Sequence, residues 1–266
     1  MGSCNPIGIR EIEPGGPFVF SPVLCSTRRK EYFERANRHL AMYSCLSIYS
    51  FFGNKAINIE SKRRGIDDNT PFLLEISNHF MQTSYRQLKK SYSQSGAQLT
   101  NQVFLMLYGN FDAFLFDLVH DAKRHLGSRD PFQDTITLLS ATRWSGKLDR
   151  LSQKLSLNIS QGELFQQYNG VEMGFLGQPT KDPVEFLQCM ADLRHRLIHG
   201  GSRADSKLIQ KYPDAGLDDG DYIELPFGLP FIISYFLIPF TDYIDKSFCD
   251  QFSWEREMIS PESLIT

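Results

Sequence analysis

The chain lacks most of the features that disclose a function at sight. Its five cysteines, Cys4, Cys25, Cys45, Cys189 and Cys249, show no C-x-x-C pair and no matched spacing. That argues against a zinc module and a secreted disulfide framework, and it fits a reducing cytoplasm. Long apolar runs are missing: the most apolar stretch, Leu229 to Phe240, is interrupted by Pro230 and Pro239, and it falls well short of the roughly 20 residues a membrane span needs. Neither sign of charge dominates, because 28 Lys and Arg stand against 31 Asp and Glu for a net charge of −3. Any attraction for nucleic acid must therefore come from a local patch. No P-loop, no G-x-G-x-x-G after a strand and no H-E-x-x-H is present, so nucleotide hydrolases, dehydrogenases and zincins find no support, and no metal or other cofactor is expected. The opening, MGSCNPIGIREIEPGG, does not have the charged-then-apolar order of a signal peptide.

What is present is helical periodicity. With 266 residues, 41% of them hydrophobic, the chain can bury one substantial core. Residues 1–26, rich in Gly and Pro with an apolar Phe18-Val19-Phe20, predict an irregular arm; residues 27–250 a single mainly α domain; residues 251–266 a loose tail. Apolar residues at steps of three and four predict helices over Arg28–Phe52, stopped by Gly53-Asn54, over Pro71–Tyr92, and over Ala97–Leu126, the longest and most central. Lys62-Arg63-Arg64-Gly65 is expected in a polar connector. A further helix is expected over Pro131–Leu155, where Arg143, Lys147, Arg150 and Lys154 form a basic ridge, either a solvated face or one wall of an RNA groove. A short helix within 156–181 and a closing apolar helix over Phe231–Phe248, packed on the Asp182 helix, complete the set. The acidic cluster Asp214, Asp218, Asp219, Asp221 and Glu224 has no EF-hand register and is expected to be a polar loop.

One segment carries unusual chemistry: Asp182 to Arg203, DPVEFLQCMADLRHRLIHGGSR. Asp182 suits an N-cap, Pro183 the first helical position, Glu185 a capping-box partner, and Gly200-Gly201 the stop. Winding the segment at about 100° per residue puts Val184, Phe186, Leu187, Met190, Ala191, Leu193, Leu197 and Ile198 on one apolar arc, with Arg194 in its middle. A guanidinium cannot shed its proton, so burial there requires a carboxylate, a phosphate or a wet cleft. Asp192, His195 and His199 are neighbours on the opposite arc, and imidazole is the side chain suited to proton transfer near neutral pH.

Arg194-His195-Arg196-Leu197-Ile198-His199 reads R-x4-H with a polar residue directly after the arginine. It resembles the signature of HEPN-domain ribonucleases. The order that follows, a Gly-Gly, a polar loop and a long apolar helix from near Pro230, is similar to theirs, as is Leu107-Tyr108-Gly109-Asn110-Phe111-Asp112-Ala113-Phe114-Leu115, where an acidic residue sits among aromatics. The likeness spans roughly residues 97–250. It implies a HEPN-like helical bundle, here with an N-terminal helical extension, a homodimeric composite site and a setting in toxin–antitoxin or antiviral-defence systems. An unpaired toxin harms its host, so an antitoxin or other regulatory protein is an expected partner.

An ideal helix separates Arg194 from His199 by about 140°, which makes one isolated copy a poor site. Two copies across a twofold axis supply two imidazoles and two guanidiniums. The expected roles are Arg194 as phosphate clamp and His199 as general acid/base, with His195, Asp192 and Asp112 in support and Arg196, Arg203 and Lys207 as RNA contacts. Two other readings stand beside this one. Arg194 pairs with a core carboxylate such as Asp112 while the histidines are ordinary helix-end residues, or the cleft is a catalytically silent module that binds nucleic acid or a partner protein.

Overall fold

In the computed structural model, residues 23–65, 67–76, 79–168 and 180–259 are described. Phe18-Val19-Phe20 and the rest of the expected arm through residue 22 lie outside the described residues, as do residues 169–179 of the connector and 260–266 of the tail. The chain is mainly α, with eight α-helices and four short strands among the described residues.

The helix that the others cover is α2, Tyr85–His125. Val103, Phe104, Leu107, Tyr108, Phe111, Phe114, Leu115, Leu118, Val119 and Ala122 are all buried along it, so its apolar residues face several partners rather than one stripe. The cover comes from α1 (Thr27–Arg64), α3 (Pro131–Leu139), α6 (Pro183–His199) and α8 (Leu229–Phe252). This is also the one described helix long and apolar enough to cross a membrane; here its apolar residues lie against the other helices. Helix α8 packs mainly on α2 and α1 rather than on the Asp182 helix as expected, and it meets α6 where the Phe186 and Phe236 rings lie 4.5 Å apart.

Several sequence expectations are corrected. Gly53-Asn54 does not end α1, which continues to Arg64 and stops at Gly65 in the left-handed region. Gly53 serves packing instead: a Cβ there would lie 2.8 Å from the Tyr92 hydroxyl. Lys62, Arg63 and Arg64 are thus the cationic last turn of α1, the end its dipole favours. The helix expected over Pro71–Tyr92 is a β-hairpin, β2 (Phe72–Ile76) paired antiparallel with β3 (His79–Thr83), followed by the start of α2. Ser84 caps that start by accepting from the Gln87 amide at 3.2 Å, and the Phe72 and Tyr85 rings, 4.8 Å apart, hold hairpin to helix. Pro131–Leu155 is two helices, α3 and α4 (Trp144–Leu155). The short helix α5 (Gln161–Gln167) lies where one was expected.

The tail is the largest departure. Strand β4 (Glu257–Ile259) pairs antiparallel with β1 (Val23–Cys25), Ile259 is buried, and Trp254 stacks on Phe252 at 5.2 Å. A buried network anchors this pair. Ser26 caps α1 and donates its amide to Asp245 Oδ2 at 3.0 Å and its hydroxyl to Oδ1. Arg29, fully buried, pairs with Asp242 and donates to the Ile238 carbonyl at 3.2 Å. Arg256 donates to Asp242 at 3.0 Å and to the Leu24 carbonyl at 2.6 Å, with its Nε 3.4 Å from Asp245. Burial pushes the Asp245 carboxyl above its ordinary range, and the Ser26 hydrogen bonds and the two arginines pull it back.

Replacing Asp245 by Ala takes the acceptors from the Ser26 amide and hydroxyl and a carboxylate from beside Arg256, and each buried donor left unsatisfied costs on the order of 1–3 kcal/mol. Urea unfolding followed by circular dichroism is expected to show a midpoint lowered accordingly, with the pairing of β1 and β4 lost first.

Candidate functional site

Helix α6 forms over the residues its punctuation marks. Asp182 Oδ1 accepts from the Val184 amide at 2.8 Å and Pro183 occupies the first turn. Glu185 does not close a capping box: the Thr180 hydroxyl donates to it at 2.8 Å and also accepts from the Asp182 amide at 3.1 Å. At the other end the Gly200 amide donates to the Arg196 carbonyl at 2.8 Å. A Cβ on Gly200 would lie 2.6 Å from Arg196 Cδ and 2.8 Å from the Arg196 carbonyl oxygen, so only glycine fits beneath that side chain. Val184, Phe186, Leu187, Met190, Leu193 and Leu197 are buried as the winding requires, whereas Ile198, assigned to the same arc, is 46% exposed at the helix end.

Arg194 leaves that arc toward α2 and α4. Its Nε lies 3.6 Å from Asp112 Oδ2 and its guanidinium 5.6 Å from the centre of the Tyr108 ring. Both charged side chains are about a third exposed, at 37% and 35%. From α4, Lys147 places its ammonium 4.5 Å from the centre of the Trp144 ring, and the Trp144 indole donates to the Tyr108 hydroxyl at 3.2 Å. Two cations thus rest on two buried, mutually hydrogen-bonded rings with one carboxylate bearing on both. Burial raises the Asp112 carboxyl and is opposed by Lys147 and Arg194. Burial lowers the Lys147 ammonium, Asp112 opposes this, and Arg194 adds to it. The expected pairing of Arg194 with Asp112 is present, but Lys147 was legible only as one step of a basic ridge. That ridge is not a single groove, because Arg150 turns to the end of α3 and donates to Ser140 Oγ at 3.2 Å.

The imidazoles lie on the other side of α6. His195 and His199 are exposed, with ring centres 4.8 Å apart. Asp192 is not available to orient them. It accepts from Gln188 at 3.0 Å, from the Tyr212 hydroxyl at 2.7 Å and from Lys211, so it fastens α7 (Ser206–Lys211) and the turn after it to α6. Gln188 in turn accepts the Trp144 amide at 2.9 Å, continuing the link to α4. Of the expected RNA contacts, Arg196 pairs with Asp205, which caps α7 through the Leu208 amide at 2.9 Å. Arg203 donates to the Gly220 carbonyl at 2.7 Å and braces the acidic loop. Lys207 is exposed on α7. Two groups therefore remain for chemistry, the Asp112–Lys147–Arg194 cluster and the exposed imidazole pair, and no hydrogen bond or ion pair joins them among the described residues.

The raised Asp112 carboxyl has a consequence for stability. The folded chain holds this proton more tightly than the unfolded one, so the contribution is fully present below the ordinary value of 3.8 and is lost as pH rises through the raised value. Chemical unfolding of the wild type and Asp112→Asn across a pH series is expected to show the wild type losing stability relative to the variant above pH 3.8 and then levelling. No protein-family model, curated protein or solved structure matches the chain, so the case for its function rests on these side chains.

Proposed function

We propose that the protein is a metal-independent endoribonuclease of HEPN-like type that works as a homodimer. The observation that carries the reading is the exposed His195–His199 pair closing α6, with its ring centres 4.8 Å apart, one turn from an arginine that keeps its terminal amino groups unbonded among the described residues. Two such helix ends related by a twofold axis bring imidazoles and guanidiniums to one phosphate, which a single α6 cannot do with its two groups on different faces.

The reaction needs no metal. One His199 accepts the proton of a ribose 2′-hydroxyl as its oxygen attacks the adjacent phosphorus, and the other protonates the departing 5′-oxygen. The P–O5′ bond breaks, a 2′,3′-cyclic phosphate forms, and Arg194 stabilises the charge on the pentacoordinate phosphorus. His195 packs against His199 and limits its ring positions. The expected supporting role of Asp192 is replaced, since its carboxylate is engaged by Tyr212 and Lys211; Asp112 supports Arg194 directly. A toxin or antiviral-defence role, with an antitoxin or regulatory protein as partner, belongs to the same reading.

The alternative is a catalytically silent module binding nucleic acid or a partner protein, and the ion pair from Arg194 to Asp112 is the observation that favours it. Labelled mixed-sequence RNA incubated with purified protein in EDTA separates the two. The wild type is expected to cut, as a species of twice the 30.5 kDa chain mass, and His199→Ala to cut at least about 100-fold more slowly, the scale of general acid–base catalysis. Binding without cutting by both proteins would favour the silent module.

A further inference from the structure

Several ion pairs that serve packing in this molecule are closed by hydrogen bonds. Arg28 Nε meets Asp121 at 2.8 Å, and Arg256 meets Asp242 at 3.0 Å. The pair between Arg194 and Asp112 is different: the atoms stay 3.6 Å apart, and among the described residues neither Arg194 nor Lys147 donates a side-chain hydrogen bond to any protein atom. Two cations held on buried aromatic faces, with their donors unanswered by protein, are arranged for an anion that carries more acceptors than one carboxylate provides.

We infer that Lys147 and Arg194 form a two-cation clamp for a single backbone phosphate of RNA, and that Asp112 lies between the cations as the internal anion which keeps them together when the clamp is empty. The clamp rests on the proposed ribonuclease function and adds to it a residue from α4. The rings do two things. Tyr108 and Trp144 hold the stems of the cations in place through their faces, and as buried walls they keep water from one side, which strengthens attraction for a phosphate. Asp112 sets the net charge of the cluster at plus one, so a phosphate is drawn in without two bare like charges having to coexist in the free protein. The clamp lies on the side of α6 away from the imidazoles. In the proposed dimer the phosphate it holds is the one that the twofold axis brings to the imidazoles, so Lys147 joins Arg194 in stabilising the charge on the pentacoordinate phosphorus.

The test uses the full chain and a short fluorescein-labelled RNA of mixed sequence with 2′-O-methyl groups throughout, which cannot be cleaved by 2′-hydroxyl attack. Binding is followed by fluorescence anisotropy over a series of salt concentrations. Lys147→Gln, which keeps an aliphatic stem over Trp144, is expected to weaken binding about tenfold, the scale of one charge-assisted hydrogen bond, and to reduce the salt slope by about one. Lys147→Arg is expected to restore much of the affinity, Asp112→Asn to tighten binding, and Lys154→Gln, on the same helix outside the cluster, to change nothing. Lys147→Gln binding as the wild type does, with its cooperative melting retained, would overturn the clamp, and so would equal losses in Lys147→Gln and Lys154→Gln. Should Lys147→Gln fail to melt cooperatively, the tightening expected of Asp112→Asn decides alone, and weaker or unchanged binding there overturns the proposal. The outcomes separate the two claims. RNA that is bound through Lys147 but never cut from its 2′-hydroxyl form sustains the clamp and sinks the nuclease; cutting with unaltered Lys147→Gln binding does the reverse; a wild type that neither binds nor cuts overturns both.

Discussion

The structure depends on covering α2. A helix of 41 residues whose aromatic and aliphatic side chains point to several sides gains roughly 1.5–3 kcal/mol for each large one withdrawn from water. Helices α1, α3, α6 and α8 are held around it for that reason. Where α4 and α6 close over its middle, α2 presents Asp112 instead of an apolar residue, and the covering helices answer with Lys147 and Arg194. The candidate site is thus a place where the cover of the central helix is charged and left partly open. Its cations stand on rings that belong to the core itself, so the rigidity of the core is passed directly to the groups that would meet a ligand.

The helix that bears the site was legible because its signals are local. Asp182, Pro183 and Gly200 act within a turn of their own backbone, and the structure has α6 begin and end where they say. The presence of a central helix around Leu107 to Leu118 was legible for the same reason. What was missed depends on partners far away in sequence. Gly53 looked like a stop and is a space for the Tyr92 ring. The tail after Phe252 looked loose, yet Arg256 reaches the carbonyl of Leu24, 232 residues away. The helices expected over Pro71–Tyr92 and Ala97–Leu126 left a gap between them, whereas α2 runs through it against α1.

The site itself was half legible. Arg194 in an apolar arc demanded an anion, and Asp112 was among the carboxylates named for it; the structure pairs the two. Asp192 seemed a natural companion for His195 from helical spacing, but Tyr212 and Lys211 claim it from the next helix and turn. Lys147 was legible only as one step of a basic ridge, since a lysine in a polar, amphipathic segment does not show its place beside Arg194 until Trp144 is seen beneath it. Spacing along one helix finds side chains that share a face; it cannot find the charge that another helix delivers.

The central claim is that the imidazoles ending α6 serve attack by a ribose 2′-hydroxyl, and the substrate tests it more directly than the protein does. An RNA with one mapped cut is remade with a single 2′-deoxy nucleotide on the 5′ side of that cut, and the products of both are analysed by mass spectrometry in the absence of divalent metal. The account predicts a 2′,3′-cyclic phosphate from the parent RNA and no product at the substituted position. A cut that persists at the deoxy nucleotide, or parent fragments bearing a 5′-phosphate, would contradict it.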